Sequence, residues 1–492
     1  MYTNETLFES FHWYYPADGS FWNFIASQAT HLKDLGITLV WLPPAVKTSE
    51  GPNGVGYSTY DLYDLGEFDQ KGAVRTKYGT KEEYINAVNT LKQNQLKVIS
   101  DVVLNHRLGA DEKEKIVVYD PDPEDRNKIL GEPHEQEVWT KFTFPGRQGK
   151  YSAYIWDFNS FTGVDDEKDP KKFYLIRHEH TEGWDEVLGK EHGNFDYLLG
   201  ADVEFRNPAV REELKKWIEW FYHTAPFDAV RLDAVKHMNI GFINELMEHL
   251  KSVAQKDMMV IAELWTKWEE IKEYMELTNY KFQIFDAPLH YNFEKASKEE
   301  AKYDLRCLLN ETLMQQHSEL CISLVDNHDT QPLQTLESSV KEWFQPLAHA
   351  FILLRREGIP CIFYPHLFGC QYSGKGKNGE ECQIHIKPVP KLSEMLQARK
   401  DRAYGEQRDY FDHPRVIGWT REGVDERPDS ACAVLLSNDQ EGYKDMEVGK
   451  RSAGKIFIDL LGNRQEEIRI DDNGWARFTV NGRSVSVWGV KV

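Results

Sequence analysis

Eight strand-like segments recur between Leu7 and Phe363, and most lead into a stretch with helical periodicity. The predicted strands are 7–11, 37–42, 97–104, 229–233, 259–263, 282–285, 321–325 and 359–363. Between them lie patterns such as "GSFWNFIASQATHLKDLG" and "PAVREELKKWIEWFYHTA", whose apolar residues repeat at helical spacing. Eight such alternations point to an α/β chain built on a (β/α)8 TIM barrel rather than an open doubly wound sheet. No G-x-G-x-x-G follows an early strand, which weighs against a dinucleotide-binding fold.

Two intervals break the rhythm. About a hundred residues separate the third strand from the fourth, far more than one βα unit needs, so an inserted β-rich subdomain is expected there. After Arg399 short alternating strands follow, with the turn signals "DDNG" and "VNGR", and read as a C-terminal antiparallel β-sandwich. The expected division is a barrel from 1–104 and 209–398, an insertion at 105–208 and a β domain at 399–492.

Composition narrows the partners. A formal net charge of −21 over 492 residues argues against nucleic acid or an anionic membrane, both of which demand a basic footprint. Aromatic residues make up 13 %, and such flat amphipathic rings suit the apolar faces of sugars. The cysteines (Cys307, Cys321, Cys361, Cys370, Cys382, Cys432) show no C-x-x-C spacing, so buried thiols in a reducing compartment are expected over a disulfide scaffold. "MYTNETLFESFHWYYP" lacks a basic segment followed by an apolar one and reads as an unprocessed cytoplasmic start. No apolar run is long enough to span a bilayer.

In a TIM barrel the chemistry sits at the C-terminal ends of the strands. Here those ends are charged. The third reads "DVVLNH", with Asp101, Asn105 and His106. The fourth reads "RLDAVKH", with Arg231, Asp233, Lys236 and His237. The fifth reads "IAELW", with Glu263, and the seventh "LVDNHD", with Asp326, His328 and Asp329. One Arg-x-Asp on a strand is ordinarily a structural ion pair, and one acid near a strand end is ordinarily a cap or a solvated loop residue. Four charged ends in one barrel are not explained that way. A carboxylate held ionised by Arg231 and a second in the apolar frame "MVIAELW" suit a nucleophile and a general acid, the pair that cleaves glycosidic bonds with retention.

Other signals carry less. "HEH" at His178–His180 has no further ligands at metal-binding spacing and reads as a solvated loop. "DPDPEDRNKILGE" has spaced acids, but Asp125 stands where an EF-hand needs glycine. "YSGKGKNGEE" has some flavour of an anion-binding loop, yet its acids and lack of a helix start make it a surface loop.

The assembled motifs resemble the four short sequence regions of glycoside hydrolase family 13, in order: "DVVLNH", "FDAVRLDAVKH", "IAELW" and "LVDNHD". "GNFDYLLGADVEF" resembles the fifth. Outside them "GYSTYDLYDLGEFDQKG", "DAPLHYNF" and "DNHDTQPLQTLES" are similar to the bacterial liquefying α-amylases, particularly their cytoplasmic branch. The resemblance implies retaining endohydrolysis of α-1,4-glucan, with Asp233 as nucleophile, Glu263 as general acid/base and Asp329 as stabiliser. It implies that His106, Arg231, His237 and His328 line the central sugar subsite, with Tyr57 beneath the ring. Lys236 and Trp265 would lie on the leaving-group side, and Trp13 at an outer stacking position. It also implies one structural Ca2+ held by Asn105, Asp196, Asp202 and the carbonyl of His237. Of an additional metal cluster, Asp185 matches one ligand while Thr162 replaces another. A further site uses His-Asp where this chain has Pro414-Arg415, so one calcium is expected and not the cluster. An α-glucan partner and a monomeric chain are expected. A transglycosylase of the same clan, or an exo-acting malto-oligosaccharide-forming amylase, is the alternative.

Overall fold

The computed structural model describes residues 4–180 and 183–491. Parallel strands β1 (Leu7–Glu9), β2 (Leu39–Leu42), β3 (Lys97–Val102), β4 (Ala229–Leu232), β5 (Met259–Ala262), β6 (Gln283–Phe285), β7 (Cys321–Leu324) and β8 (Ile359–Phe363) close into a barrel. Each neighbours the next in sequence, and β8 returns to β1. All eight coincide with predicted segments. Several stop one or two residues early, because Asp233, Glu263 and their counterparts lie just past the last ladder pair, where the backbone turns.

Local chemistry accounts for the helices between the strands. The helix Lys81–Gln93 opens on a reciprocal capping box, in which Thr80 accepts from the Glu83 amide and Glu83 from the Thr80 amide. The helix Pro208–Thr224 starts with proline at its first turn, where no amide hydrogen is needed, and Asn207 caps it. Its buried face is Val210, Leu214, Trp217, Ile218 and Phe221, one stripe at helical spacing.

Two compact units make up the chain, one from Tyr15–Ala29 and Trp41–Ile284, the other from the segments before, between and after these. The first unit carries the end of β2, β3 to β5 and the long insertion. The insertion folds as a six-stranded antiparallel sheet in the order His106–Arg107, Ala201–Val203, Phe161–Asp165, Phe173–Ile176, Glu112–Pro121, Ile129–Lys141. "DPDPEDRN" forms the turn joining its last two strands.

The second unit carries β1, β7, β8 and the C-terminal β region. A six-stranded sheet there faces the ribbon Gly442–Glu447/Trp475–Val480 across Val416, Leu435, Met446, Phe457, Phe478 and Trp488. That is the expected sandwich, with one layer reduced to two strands. Cys321, Cys361 and Cys432 are buried, and all six cysteines are free thiols. Among the described residues no helix is long and apolar enough to cross a membrane.

Two expectations are corrected. "YSGKGKNGEE" belongs not to a loop but to a hairpin, Cys370–Lys375 paired with Glu381–Ile386. The Asn378-Gly379 turn, with Gly379 at φ +78°, supplies the reversal. His178 is not solvated either. Its side chain is 1 % exposed, and its Nε2 lies 3.0 Å from the Phe161 carbonyl, because the neighbouring strand covers it.

Candidate active site

The ladder itself explains why β4 ends in charge. In the parallel register Arg231 stands opposite Asp101 of β3 and Ile261 of β5. Opposite residues on parallel strands share a face, so Arg231 and Asp101 point the same way. The Arg231 Nη1 donates to Asp101 Oδ1 at 2.9 Å and to Asp233 Oδ1 at 2.6 Å. Its Nη2 lies 3.8 Å from Glu263 Oε2. One guanidinium thus reaches three carboxylates from three adjacent strand ends. Trp41 and Tyr57 close round it, each donating to Asp101 Oδ2, at 3.0 Å and 2.8 Å. The guanidinium carbon lies 5.1 Å from the Trp41 ring centre and 5.6 Å from that of Tyr57.

Arg231 is 1 % exposed. Burial alone would lower its pKa, but Asp101, Tyr57, Asp233 and Glu263 outweigh it, and the net direction is upward. Asp101 is pushed up, first by burial, while Arg231 opposes and Asp233 adds to the rise. The cation is therefore fixed and permanent.

Immediately after Asp233 the chain turns through Ala234 in the left-handed region (φ 51°, ψ 36°), which costs a non-glycine residue energy. The turn aims the Ala234 amide at Glu263 Oε2, 2.7 Å away. The backbone strain is spent on orienting the second carboxyl.

Around this centre His106 is buried, its Nε2 2.7 Å from the Tyr57 carbonyl, and burial lowers its pKa. His237 presents Nδ1 to the Phe195 carbonyl at 2.6 Å, which fixes the proton there. Burial lowers its pKa to about 4, so at neutral pH it is uncharged. Lys236 pairs with Glu191 and, at 3.5 Å, with Glu270. Trp265 follows β5 and is half-buried.

In the other unit, at the ends of β1 and β7, His328 Nδ1 lies 2.6 Å from Glu9 Oε1, and its Nε2 lies 3.4 Å from Asp329 Oδ2. Trp13 stacks nearly parallel on His328, with ring centres 6.2 Å apart. Asp326, at the same strand end, turns inward to His366 at 3.2 Å and accepts from the Val340 amide.

The expected calcium residues lie in the first unit. Asn105 Nδ2 approaches Asp202 Oδ1 at 3.4 Å, and the Asp185 amide donates to Asp196 Oδ2 at 2.8 Å. Asn105 Oδ1, Asp185 Oδ2 and Asp202 Oδ2 are buried with no partner in the protein. Asp196 and Asp202 are driven well upward, first by burial and then by neighbouring carboxylates. Hard oxygens buried without compensating charge fit a divalent cation. Among the described residues no three His, Cys, Asp or Glu side chains close into a metal-binding group by themselves, so an amide and a carbonyl oxygen have to complete any such shell.

The family profile described as "Alpha amylase, catalytic domain" matches residues 17–403, and "Alpha-amylase C-terminal" matches 432–489. The chain belongs to the α-amylase family. Like other α-amylases it is a glycoside hydrolase. It is 44 % identical over 492 residues to the cytoplasmic α-amylase of Escherichia coli K12, covering 99 % of each chain. It is 42 % identical to a glucan 1,4-α-maltohexaosidase of Bacillus sp. strain 707, covering 99 % of this chain and 92 % of that one. The acarbose-complexed α-amylase of Geobacillus thermoleovorans shares the fold with a TM-score of 0.65 at 18 % identity, over 100 % of this chain and 98 % of that one.

One residue that the strand ends did not single out is Glu9, the partner of His328, and Asp101, which they did, was not foreseen as the second anchor of Arg231. For Glu9 the available signal was a carboxylate inside a barrel strand.

Proposed function

We propose that this α-amylase cleaves internal α-1,4-glucosidic bonds of starch, glycogen or maltodextrins by double displacement. The observation that carries it is the single Arg231 guanidinium shared by Asp233 and Glu263 at adjacent strand ends. Asp233, kept beside a permanent cation, attacks the anomeric carbon. Glu263 gives its proton to the departing glycosidic oxygen, and a glucosyl ester forms on Asp233. Glu263, now ionised, takes a proton from water as that water attacks the same carbon and frees Asp233. Asp329 stabilises the positive charge that develops on the sugar ring. Neutral His106 and His237, with His328, supply hydrogen bonds to sugar hydroxyls. Tyr57 stacks beneath the ring, Trp13 at an outer subsite, and Lys236 with Trp265 holds the leaving-group side.

Asn105, Asp196, Asp202 and the His237 carbonyl would hold one Ca2+, a structural cation that offsets buried carboxylate charge. Asp185, the remnant of the larger cluster, has other company. Arg206 pairs with Glu204 at 2.6 Å and counteracts part of the rise in the Asp185 pKa. Arg415 donates to the Tyr303 carbonyl at 2.6 Å. Asp185 thus already has a side-chain cation acting on it, and one calcium is proposed rather than a cluster. Metal analysis of the recalcified protein should return one tight ion per chain. Chelation should lower the thermal midpoint by several degrees, an effect that Asp202→Asn mimics. Three tight ions, or an unchanged midpoint, would count against this reading. The three-part division stated above, a cytoplasmic location and a monomeric state belong to the same proposal.

The decisive test is a time course of products from maltoheptaose, with their anomeric form. Internal cuts and α-anomers are expected, whereas β-anomers would overturn retention. Release of one short product from the start would favour the exo-acting alternative, which the maltohexaosidase relative keeps open.

A further inference from the structure

The N-terminal end of the barrel, opposite the charged strand ends, carries a cavity of about 400 Å³. Residues leading into β1, the start of β8 and the first strands of the C-terminal sheet line it. Three arginines face two glutamates in this lining: Arg356, Arg399 and Arg421 against Glu5 and Glu406. In a chain of net charge −21 a cationic cavity is unexpected.

The arginines differ in how they are held. Arg399 spends its donors on backbone and a hydroxyl: the Leu353 and Glu5 carbonyls and Thr6 Oγ1. Arg421, 4 % exposed, gives its Nε to the Gly405 carbonyl at 3.2 Å, while its Nη1 is buried with no partner in the protein. Among the described residues no carboxylate forms an ion pair with either guanidinium, although Glu5 and Glu357 act on them at longer range. Burial pulls both pKa values down, that of Arg399 to about 9; the Arg421 charge adds to the fall at Arg399 while Glu5 opposes it, and Arg356 and Arg355 add to the fall at Arg421 while Glu357 opposes it. Two buried cations with no carboxylate in contact, one of them with an unpartnered Nη1, are costly unless something negative completes them. At the mouth Arg356 and Glu406, both exposed, form a loose pair at 3.4 Å that a ligand could displace.

We infer that this cavity binds a phosphate group carried on a small polar molecule of hexose size. A guanidinium presents a planar fork that matches phosphate oxygens two at a time. The volume exceeds what inorganic phosphate fills and falls in the range of small-molecule sites. Tyr404 supplies an aromatic wall. Its lining includes no residue assigned a role in catalysis.

Titration calorimetry of the intact protein, at constant ionic strength in chloride, tests it with inorganic phosphate and with glucose 1-phosphate. Saturable one-site binding of at least one probe is expected. Tighter binding of the ester means the whole molecule is read, and equal binding means only the phosphate is; both support the site. Arg421→Met should weaken binding at least tenfold, the size expected for a lost hydrogen bond to a charged group. Arg356→Ser, at the exposed mouth and safe for folding, should weaken it by about threefold. Absence of saturable binding by either probe, or wild-type affinity in Arg356→Ser together with a folded Arg421→Met, would overturn the inference.

Discussion

Asp233→Asn should lower turnover of maltoheptaose by a factor of about 10⁴ or more, in line with the removal of other enzymatic nucleophiles and their orienting acids. The native state should survive. Asparagine has the same shape, and Arg231 keeps Asp101 as its second anchor. Glu263→Gln should be comparably inactive on the same substrate for a different reason, since it cannot protonate the departing oxygen. Glucosyl fluoride separates the two, because fluoride leaves without a proton. Glu263→Gln should still form the glucosyl ester from it, visible as a mass increase on Asp233, whereas Asp233→Asn should form none. If Asp233→Asn retains hydrolysis, or Glu263→Gln fails to accumulate ester from the fluoride, the assigned roles are wrong.

Arg231→Met should produce the largest loss of stability of any single change at the barrel's charged rim. Removing a buried cation leaves its partners as uncompensated charges, at a cost of about 3–5 kcal/mol. Asp101 is the partner that suffers, since it is wholly enclosed and burial already drives its pKa upward. Asp233, closer to solvent, can relax. Two further variants show whether charge is the cause. Arg231→Met combined with Asp101→Asn should recover a good part of the loss, because the neutral amide no longer needs a cation. Arg231→Lys should recover less, since a compact ammonium cannot span three carboxylates as a planar fork does. Activity should fall in every case, because Asp233 loses the side chain that aims it. A single variant as stable as the parent in thermal unfolding, or a double variant no better than Arg231→Met, would exclude this account.

How much of this was legible in the sequence depends on what each signal encodes. The eight strands were readable because apolar runs bounded by turn residues survive in one dimension. Their ends were read long by a residue or two, since Asp233 and Glu263 continue the alternation after the ladder has stopped. The left-handed turn at Ala234 had no signal, because alanine gives no hint of positive φ. Asp101 and Glu9 were visible as acids but not as partners, since what makes them matter is register across neighbouring strands. The hairpin Cys370–Ile386 was missed for the opposite reason: it is largely solvated on both faces, so no hydrophobic alternation marks it. Its Asn-Gly turn was the one usable cue. His178 misled because a polar tripeptide reads as surface until the sheet that covers it is known.

The contact between Arg231 and Asp101 joins positions 130 residues apart. Between them lies the entire inserted sheet, which has to fold back on itself before β4 can lie beside β3. Until that loop closes, both charges stay hydrated and cost nothing, while the entropy of closing so long a loop opposes their meeting. The ionic centre is therefore a non-local contact of the kind that slows folding. A chain whose insertion is unfinished therefore lacks the Arg231–Asp101 contact on which the catalytic charge balance rests.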